Sequence, residues 1–374
     1  MSNRLASLPR LVLAEFSELT LTGPRARSAV AAAFAVGTAI LLALALRLQD
    51  VYWAGISAFV CIQASQPQSV RKGLHRIWGT VVGAALALLL FPLVAFDHAA
   101  TMLLLFCAGS LAIIGSLVSR YSYAWLLGGI TALMVVLGAL NDPLQTLHLA
   151  FYRSSEIILG TSIALATAKI LLPPSATIAR AAPGWASVLG TNWYMLGHAV
   201  RTGIAVALVP VIWRVFELPN LSQMAISIGA VMAVPVLTGK AEEDRRAVVE
   251  RSVQRLLGCL IGGGIGLLAL ITPLASSFWT WLLLLMVGAA IGVEMETGRH
   301  GVQTIGIQAE VAFILTMTQG WGPAVSLLPA IDRVAGMMGA IALLLAVNFF
   351  FGPAQDTETD HTFVTKTLDG RRST

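Results

Sequence analysis

Long apolar runs follow one another along this chain, separated by short polar breaks. A helix needs ~20 apolar residues to cross hydrocarbon, and it pairs its backbone polar groups within one segment. On that criterion the runs predict membrane helices at 27–47, 51–66, 77–96, 99–119, 121–140, 154–172, 199–217, 222–239, 256–273, 277–296, 301–319 and 330–352. The second (VYWAGISAFVCIQASQ) and eighth (SQMAISIGAVMAVPVLT) are the weakest, and Pro235 gives the eighth a reason to kink. Residues 3–16, NRLASLPRLVLAEF, predict an amphipathic helix lying on the cytoplasmic interface. The first 26 residues carry Arg4, Arg10 and Arg25 and no continuous apolar core, so no cleavable leader is expected.

The pattern repeats. HRIWGTVVGAALALLL (75–90) aligns with QRLLGCLIGGGIGLLAL (254–270), setting Arg76 on Arg255, Gly79 on Gly258 and Gly83 on Gly262. YRSSEIILGTSIALATAKILLPP (152–174) aligns with DRVAGMMGAIALLLAVNFFFGPA (332–354), setting Arg153 on Arg333. The expected fold is an all-α, polytopic integral membrane protein of about twelve transmembrane helices in two parallel six-helix repeats, related by an axis along the membrane normal. The repeats are 27–172 and 199–352. Residues 1–26 are a cytoplasmic segment, 173–198 (with Pro173, Pro174, Pro183, Trp185 and Trp193) an interfacial linker, and 353–374 a polar cytoplasmic tail.

Composition excludes a soluble domain: 57% of the 374 residues are hydrophobic, 11% are charged, and the mean hydropathy is +0.80. The net charge of +5 is spread between apolar runs, so it speaks for membrane topology and against nucleic acid. With twelve spans and the N-terminus inside, only Arg47, Arg153, Arg214 and Arg333 fall on the outer side, and every other Lys and Arg is cytoplasmic. That division predicts both termini in the cytoplasm. Arg71, Lys72, Arg76, Arg245, Arg246, Arg251 and Arg255 are expected to set topology from two basic connections. Cys61, Cys107 and Cys259 have no paired spacing, and His98, His148 and His361 have no partners at metal spacing, so no disulfide, metal or cofactor is expected. The absence of GxxxxGK[ST], HExxH and GxSxG leaves neither ATP-driven transport by this chain alone nor an enzyme with support.

WAGISAFVCIQASQPQSVRKGLHRIWGTVVGAALALLL (53–90) resembles the signature of the fusaric acid resistance (FUSC) family, within the wider group of aromatic acid exporters. Its features are an aromatic-containing second span, a basic turn, and an R-x-x-G-T-x-x-G-A opening to the third span, here Arg76, Gly79, Thr80, Gly83 and Ala84. A weaker copy stands at Arg255, Gly258, Cys259 and Gly262. The resemblance implies a bacterial inner-membrane exporter of aromatic carboxylic acids and similar toxic anions, in some members working with a periplasmic membrane-fusion adaptor. Plant malate channels share the six-span unit. Many members also carry a large cytoplasmic domain where this chain has only the short linker and tail.

Within that frame a few residues are candidates for function. Gly79/Gly83, Gly258/Gly262 and Gly262/Gly266 form GxxxG pairs that allow close helix packing. Arginine stays charged and holds carboxylates in a bidentate way. Arg153 and Arg333, with Arg47 and Arg214 behind them, are therefore candidates for an organic-anion pathway between the halves. The competing expectation is that they snorkel or neutralise local acids, since Glu156 lies three residues from Arg153 and Asp332 adjoins Arg333. Glu310, with Gln308 near it, sits in the middle of a span, where a carboxylate costs about 2.5–3.5 kcal/mol on insertion scales. It has no acidic counterpart in the first half, where the equivalent position is about Ala132, and it is the candidate proton-coupling group. Glu294 and Glu296 are expected to pair locally with Arg299 and His300.

The expected function is secondary export of aromatic or other organic acids across the bacterial inner membrane, coupled to protons. A passive organic-anion channel and a non-transporting scaffold of an envelope complex stand as alternatives. The expected partners are the organic anion and the lipid bilayer, with homo-oligomerisation left open.

Overall fold

The computed structural model describes residues 2–20, 22–175, 182–188, 192–216, 221–234 and 237–351. Pro235, His361, the 353–374 tail and parts of the 173–198 linker lie outside the described residues. The chain forms α1 (Ser2–Ser17), α2 (Gly23–Ala45), α3 (Val51–Cys61), α4 (Gln66–Val94), α5 (His98–Val118), α6 (Ser122–Asn141), α7 (Thr146–Leu171), α8 (Trp193–Phe216), α9 (Leu221–Met232), α10 (Ala241–Ile271), α11 (Phe278–Glu296), α12 (Gln303–Met317) and α13 (Leu328–Phe351). It is an all-α polytopic membrane protein. A helix lies in each of the twelve apolar runs. Among the described residues nine helices are long and apolar enough to cross a membrane: α2, α4, α5, α6, α7, α8, α10, α11 and α13. The remaining three are short, with 11 residues in α3, 12 in α9 and 15 in α12.

The second run divides as its sequence dictates. α3 ends at Cys61, where Ile62 turns extended, and Ser65 and Pro67 open α4. Proline suits a first helical turn because its missing N–H would go unpaired there anyway. Nothing then stops the helix before Val94. RKGLHR, expected as a cytoplasmic turn, is therefore the second and third turns of α4, and Arg76 faces inward with 5% exposure.

Helix order along the chain does not match helix grouping in space. α2 packs on α11, and α8 packs on α5. The largest buried core is built chiefly from α4, α5, α6, α8, α9 and α13, and the second from α2, α3, α7, α11 and α12. Each core thus mixes helices from both sequence halves. The short helices α3 and α9 are central: α3 touches α7, α2 and α12, while α9 touches α13, α8 and α6.

At one end of the bundle, Leu8 of α1 is buried against Val302 and Ile305. Beyond α12 a small antiparallel hairpin pairs β1 (Thr318–Gln319) with β2 (Gly322–Pro323). Two indoles fasten this region: Trp281 Nε1–H donates to the Met317 carbonyl at 2.8 Å, and Trp321 Nε1–H to that of Leu48 at 2.9 Å.

Candidate functional site

The short helices bring the two candidate arginines into equivalent surroundings. Ile56-Ser57 of α3 corresponds to Ile226-Ser227 of α9, which sets Trp53 against Gln223. Arg153 reaches in from α7 with 8% exposure, its guanidinium carbon 4.4 Å from the centre of the Trp53 ring. Its Nη2 lies 3.3 Å from Asp50 Oδ2 and its Nη1 lies 3.6 Å from Glu156 Oε2. Glu156 Oε1 also accepts the Asp50 backbone N–H at 2.7 Å. Two acids therefore offset the Arg153 charge.

Arg333 reaches in from α13 and is 3% exposed. It donates through Nη1 to the side-chain oxygen of Gln223, the counterpart of Trp53. The position matching Glu156 is Gly336, where an added Cβ would come within 2.6 Å of Gln223 Cβ, so no acid fits. Among the described residues Arg333 makes no ion pair, and its Nε has no hydrogen-bond partner. The groups in electrostatic reach of Arg333 include a second cation, Arg255 of α10, together with Cys259 and Tyr52. Gln308 is 1% exposed, lies against Gly258, is in hydrogen-bonding reach of Cys259, and leaves its Nε2 unpaired. Tyr52 is also in reach of Arg153, so the two arginines converge on this ring. A buried, uncompensated guanidinium is costly in protein or hydrocarbon, and an anion is the partner that removes the cost.

Glu310 occupies separate surroundings. Gln308 and Glu310 are two residues apart on α12 and so face different sides: Gln308 meets α10, whereas Glu310 meets Gly288 and Gly292 of α11. Phe313 and Phe59 complete this apolar wall. Glu310 is 3% exposed and its Oε1 has no partner. The structure does not join it to the arginine cluster.

Residues 26–185 match the fusaric acid resistance protein family. That match lies within the N-terminal half of the chain and takes in most of α2 and all of α3 to α7. Among curated relatives, the p-hydroxybenzoic acid efflux pump subunits AaeB of Salmonella arizonae, Salmonella newport and Salmonella enteritidis are each 32% identical to it over 162 residues. That match covers 40% of this chain and spans 24% of the length of the relatives. No solved structure matches the chain.

The FUSC signature residues turn out to be internal. Arg76 donates from Nη1 to the Tyr123 hydroxyl of α6 at 2.9 Å and from Nη2 to the Ser57 hydroxyl of α3 at 3.1 Å. It fastens three helices and is not a solvated topology marker. Its counterpart Arg255 belongs to the Arg333 cluster, and Arg251 donates to the Ala230 carbonyl at 3.1 Å. Arg71, Arg245 and Arg246 do remain exposed. Gly79 and Gly83 lie directly on the backbone of Ala124 and Gly128 in α6. Gly258 and Gly262 lie in the same way on Ile305 and Ala309 of α12, with Gly266 against Thr316. These contacts bring α4 onto α6 and α10 onto α12 backbone to backbone.

Arg47 and Arg214 are exposed at the ends of α2 and α8, and the structure does not bring them to the buried pair. Arg47 has a φ of 54°, a left-handed conformation that terminates α2. Glu294 and Glu296 do not pair locally. Glu294 meets Arg25 of α2 at 3.1 Å, and Glu296 meets Lys72 of α4 at 3.7 Å. Asp50, Trp53, Tyr52 and Gln223 escaped the sequence analysis. The repeat was the one available signal for two of them, because aligning α3 with α9 sets Trp53 on Gln223.

Proposed function

We propose that this chain exports organic acids, aromatic carboxylates foremost, across a bacterial inner membrane. On this reading the anion passes between two six-helix repeats, 27–172 and 199–352, and both termini are cytoplasmic. The observation that carries the reading is the buried Arg333, which makes no ion pair among the described residues and has a second cation, Arg255, beside it. Gln223, Gln308 and Tyr52 supply polar atoms around the carboxylate, while Arg153 acts as a neutralised scaffold next to it. The naming of the Salmonella relatives as subunits of a p-hydroxybenzoic acid efflux pump supports the substrate class and suggests an accessory partner such as a periplasmic adaptor. Proteoliposomes loaded with p-hydroxybenzoate provide the test. Release that depends on the protein and is blocked by competing aromatic carboxylates supports export, whereas absence of anion movement in any gradient removes it.

Coupling falls to Glu310 in this reading. Proton binding cancels the charge that makes a buried carboxylate with an unpaired oxygen expensive at this depth, so movement of the proton accompanies a change in the helix contacts around Gly288 and Gly292. Glu310→Gln is expected to abolish proton movement driven by substrate while leaving anion binding within about threefold, because the residue stands apart from Arg333. Parallel pH-dye and binding measurements check this. A passive channel would instead conduct anions with or without Glu310, and unchanged pH dependence in the variant would select it.

A further inference from the structure

The α1 end of the bundle holds another carboxylate arrangement. Glu15 lies in a surface helix and yet is 0% exposed. Arg25 Nη2 donates to its Oε1 at 2.7 Å, and the backbone N–H groups of Arg299 and His300 both donate to its Oε2 at 3.0 Å. His300 Nδ1 lies 2.7 Å from the same oxygen. The carboxyl fills the space that a side chain at position 298 would need, since a Cβ on Gly298 would overlap Glu15 Cδ. Burial pushes the Glu15 carboxyl up, but the bonds from His300 and Arg25 outweigh it and hold the group below the usual carboxylate range. One wall of this cup is α2, from the first half, and the other is the α11–α12 loop, from the second.

Two features distinguish the cup from a simple helix anchor. The donors belong to the bundle and converge on a carboxylate, with two adjacent backbone N–H groups aimed at one oxygen, as in a small anion nest. The helix that supplies the carboxylate has somewhere else to go: Leu13 is 70% exposed and Phe16 51%, so α1 can exchange its contacts with Val302 and Ile305 for the membrane interface. Glu15, Glu18 and His300 are also close enough together to suggest a cation site. Arg25 at 2.7 Å and the backbone donors already use both Glu15 oxygens, which argues against it.

We propose that the cup formed by Arg25, Gly298, Arg299 and His300 is a carboxylate-receiving site at the cytoplasmic mouth, and that Glu15 keeps it closed by standing in for the substrate's carboxylate. The proposal rests on the organic-acid reading and orientation given above. An incoming carboxylate displaces Glu15, frees α1, and loosens a contact that ties the first half to the α11–α12 loop.

The test uses full-length protein in nanodiscs, with benzoate as probe and benzamide as its uncharged control. Glu15→Ala is examined in an Arg333→Gln background, so that the buried arginine site contributes nothing. Benzoate, but not benzamide, is expected to raise the melting temperature of this variant saturably, with a half-saturating concentration about tenfold below that of Arg333→Gln alone. Adding Arg25→Ala should remove the effect. Gly298→Ala should release α1, seen as faster hydrogen exchange over residues 2–17, without gaining benzoate stabilisation, because its methyl fills the cup. If Glu15→Ala does not fold, Glu15→Gln replaces it in the same measurements. Equal benzoate responses with and without Glu15, or a response that survives Arg25→Ala, would overturn the proposal. Neither result bears on Arg333, so the export reading is tested separately.

Discussion

Arg333→Gln is expected to abolish organic-acid transport and to leave the protein at least as stable as before. Removing one partner of a desolvated charge contact costs about 2–5 kcal/mol, which is a loss of about thirtyfold to several-thousandfold in anion affinity. The unliganded protein, however, loses a buried cation that makes no ion pair among the described residues, and removing such a charge relieves desolvation. Arg153→Gln should behave in the opposite way. It leaves Glu156 buried without its cation, next to the half-exposed Asp50, so the expected result is a lower melting temperature, by an amount corresponding to about 1–3 kcal/mol. Equilibrium binding of p-hydroxybenzoate and thermal unfolding, measured on both variants, separate the roles. Equal destabilisation of the two would show that Arg333 is also structural.

The second large effect concerns packing. A methyl group at Gly262 would overlap the carbonyl of Ala309, and neighbouring Gly258 is similarly close to the backbone of α12. A backbone cannot swing aside as a side chain can, so Gly262→Ala must force α10 and α12 apart along their contact. Overpacking of this kind typically costs about 1–3 kcal/mol, and more when backbone must move. The expected result is loss of monodisperse protein in detergent, or a melting temperature lowered by many degrees. Gly264→Ala, two residues on, is the control: an added Cβ there meets nothing within 4 Å. It should be neutral or stabilising by up to about 1 kcal/mol through helix propensity.

Much of the architecture was legible in the sequence because hydrocarbon imposes one rule on every span. The apolar runs located the helices, and the matched Gly79/Gly83 and Gly258/Gly262 pairs located two equivalent helix contacts. The basic connections were less legible. Arg76 reads as a loop cation when only its charge is considered, but the helix starting at Ser65-Gln66-Pro67 carries it inward to Ser57 and Tyr123. Arg153 and Arg333 stood out by breaking the topology rule, but what makes them unequal did not. That difference depends on Asp50, which is distant in sequence from Arg153, and on Gly336, which matters for the acid it replaces. Glu294 and Glu296 misled for a related reason: nearby Arg299 and His300 looked sufficient, and only folding brings Arg25 and Lys72 within reach.

The mixed cores have a mechanical consequence. Transporters built from repeats are commonly pictured as two sequence halves rocking against each other about a fixed site. Here such a motion would tear open both cores, since each is closed by helices from either half. The candidate residues divide between the two cross-assembled cores, α13 with Arg333 in one and α3, α7 and α12 with Tyr52, Arg153 and Glu310 in the other. On the export reading, a displacement along the seam between these two cores, and not between the sequence halves, is the motion that would shift Arg333 relative to Glu310.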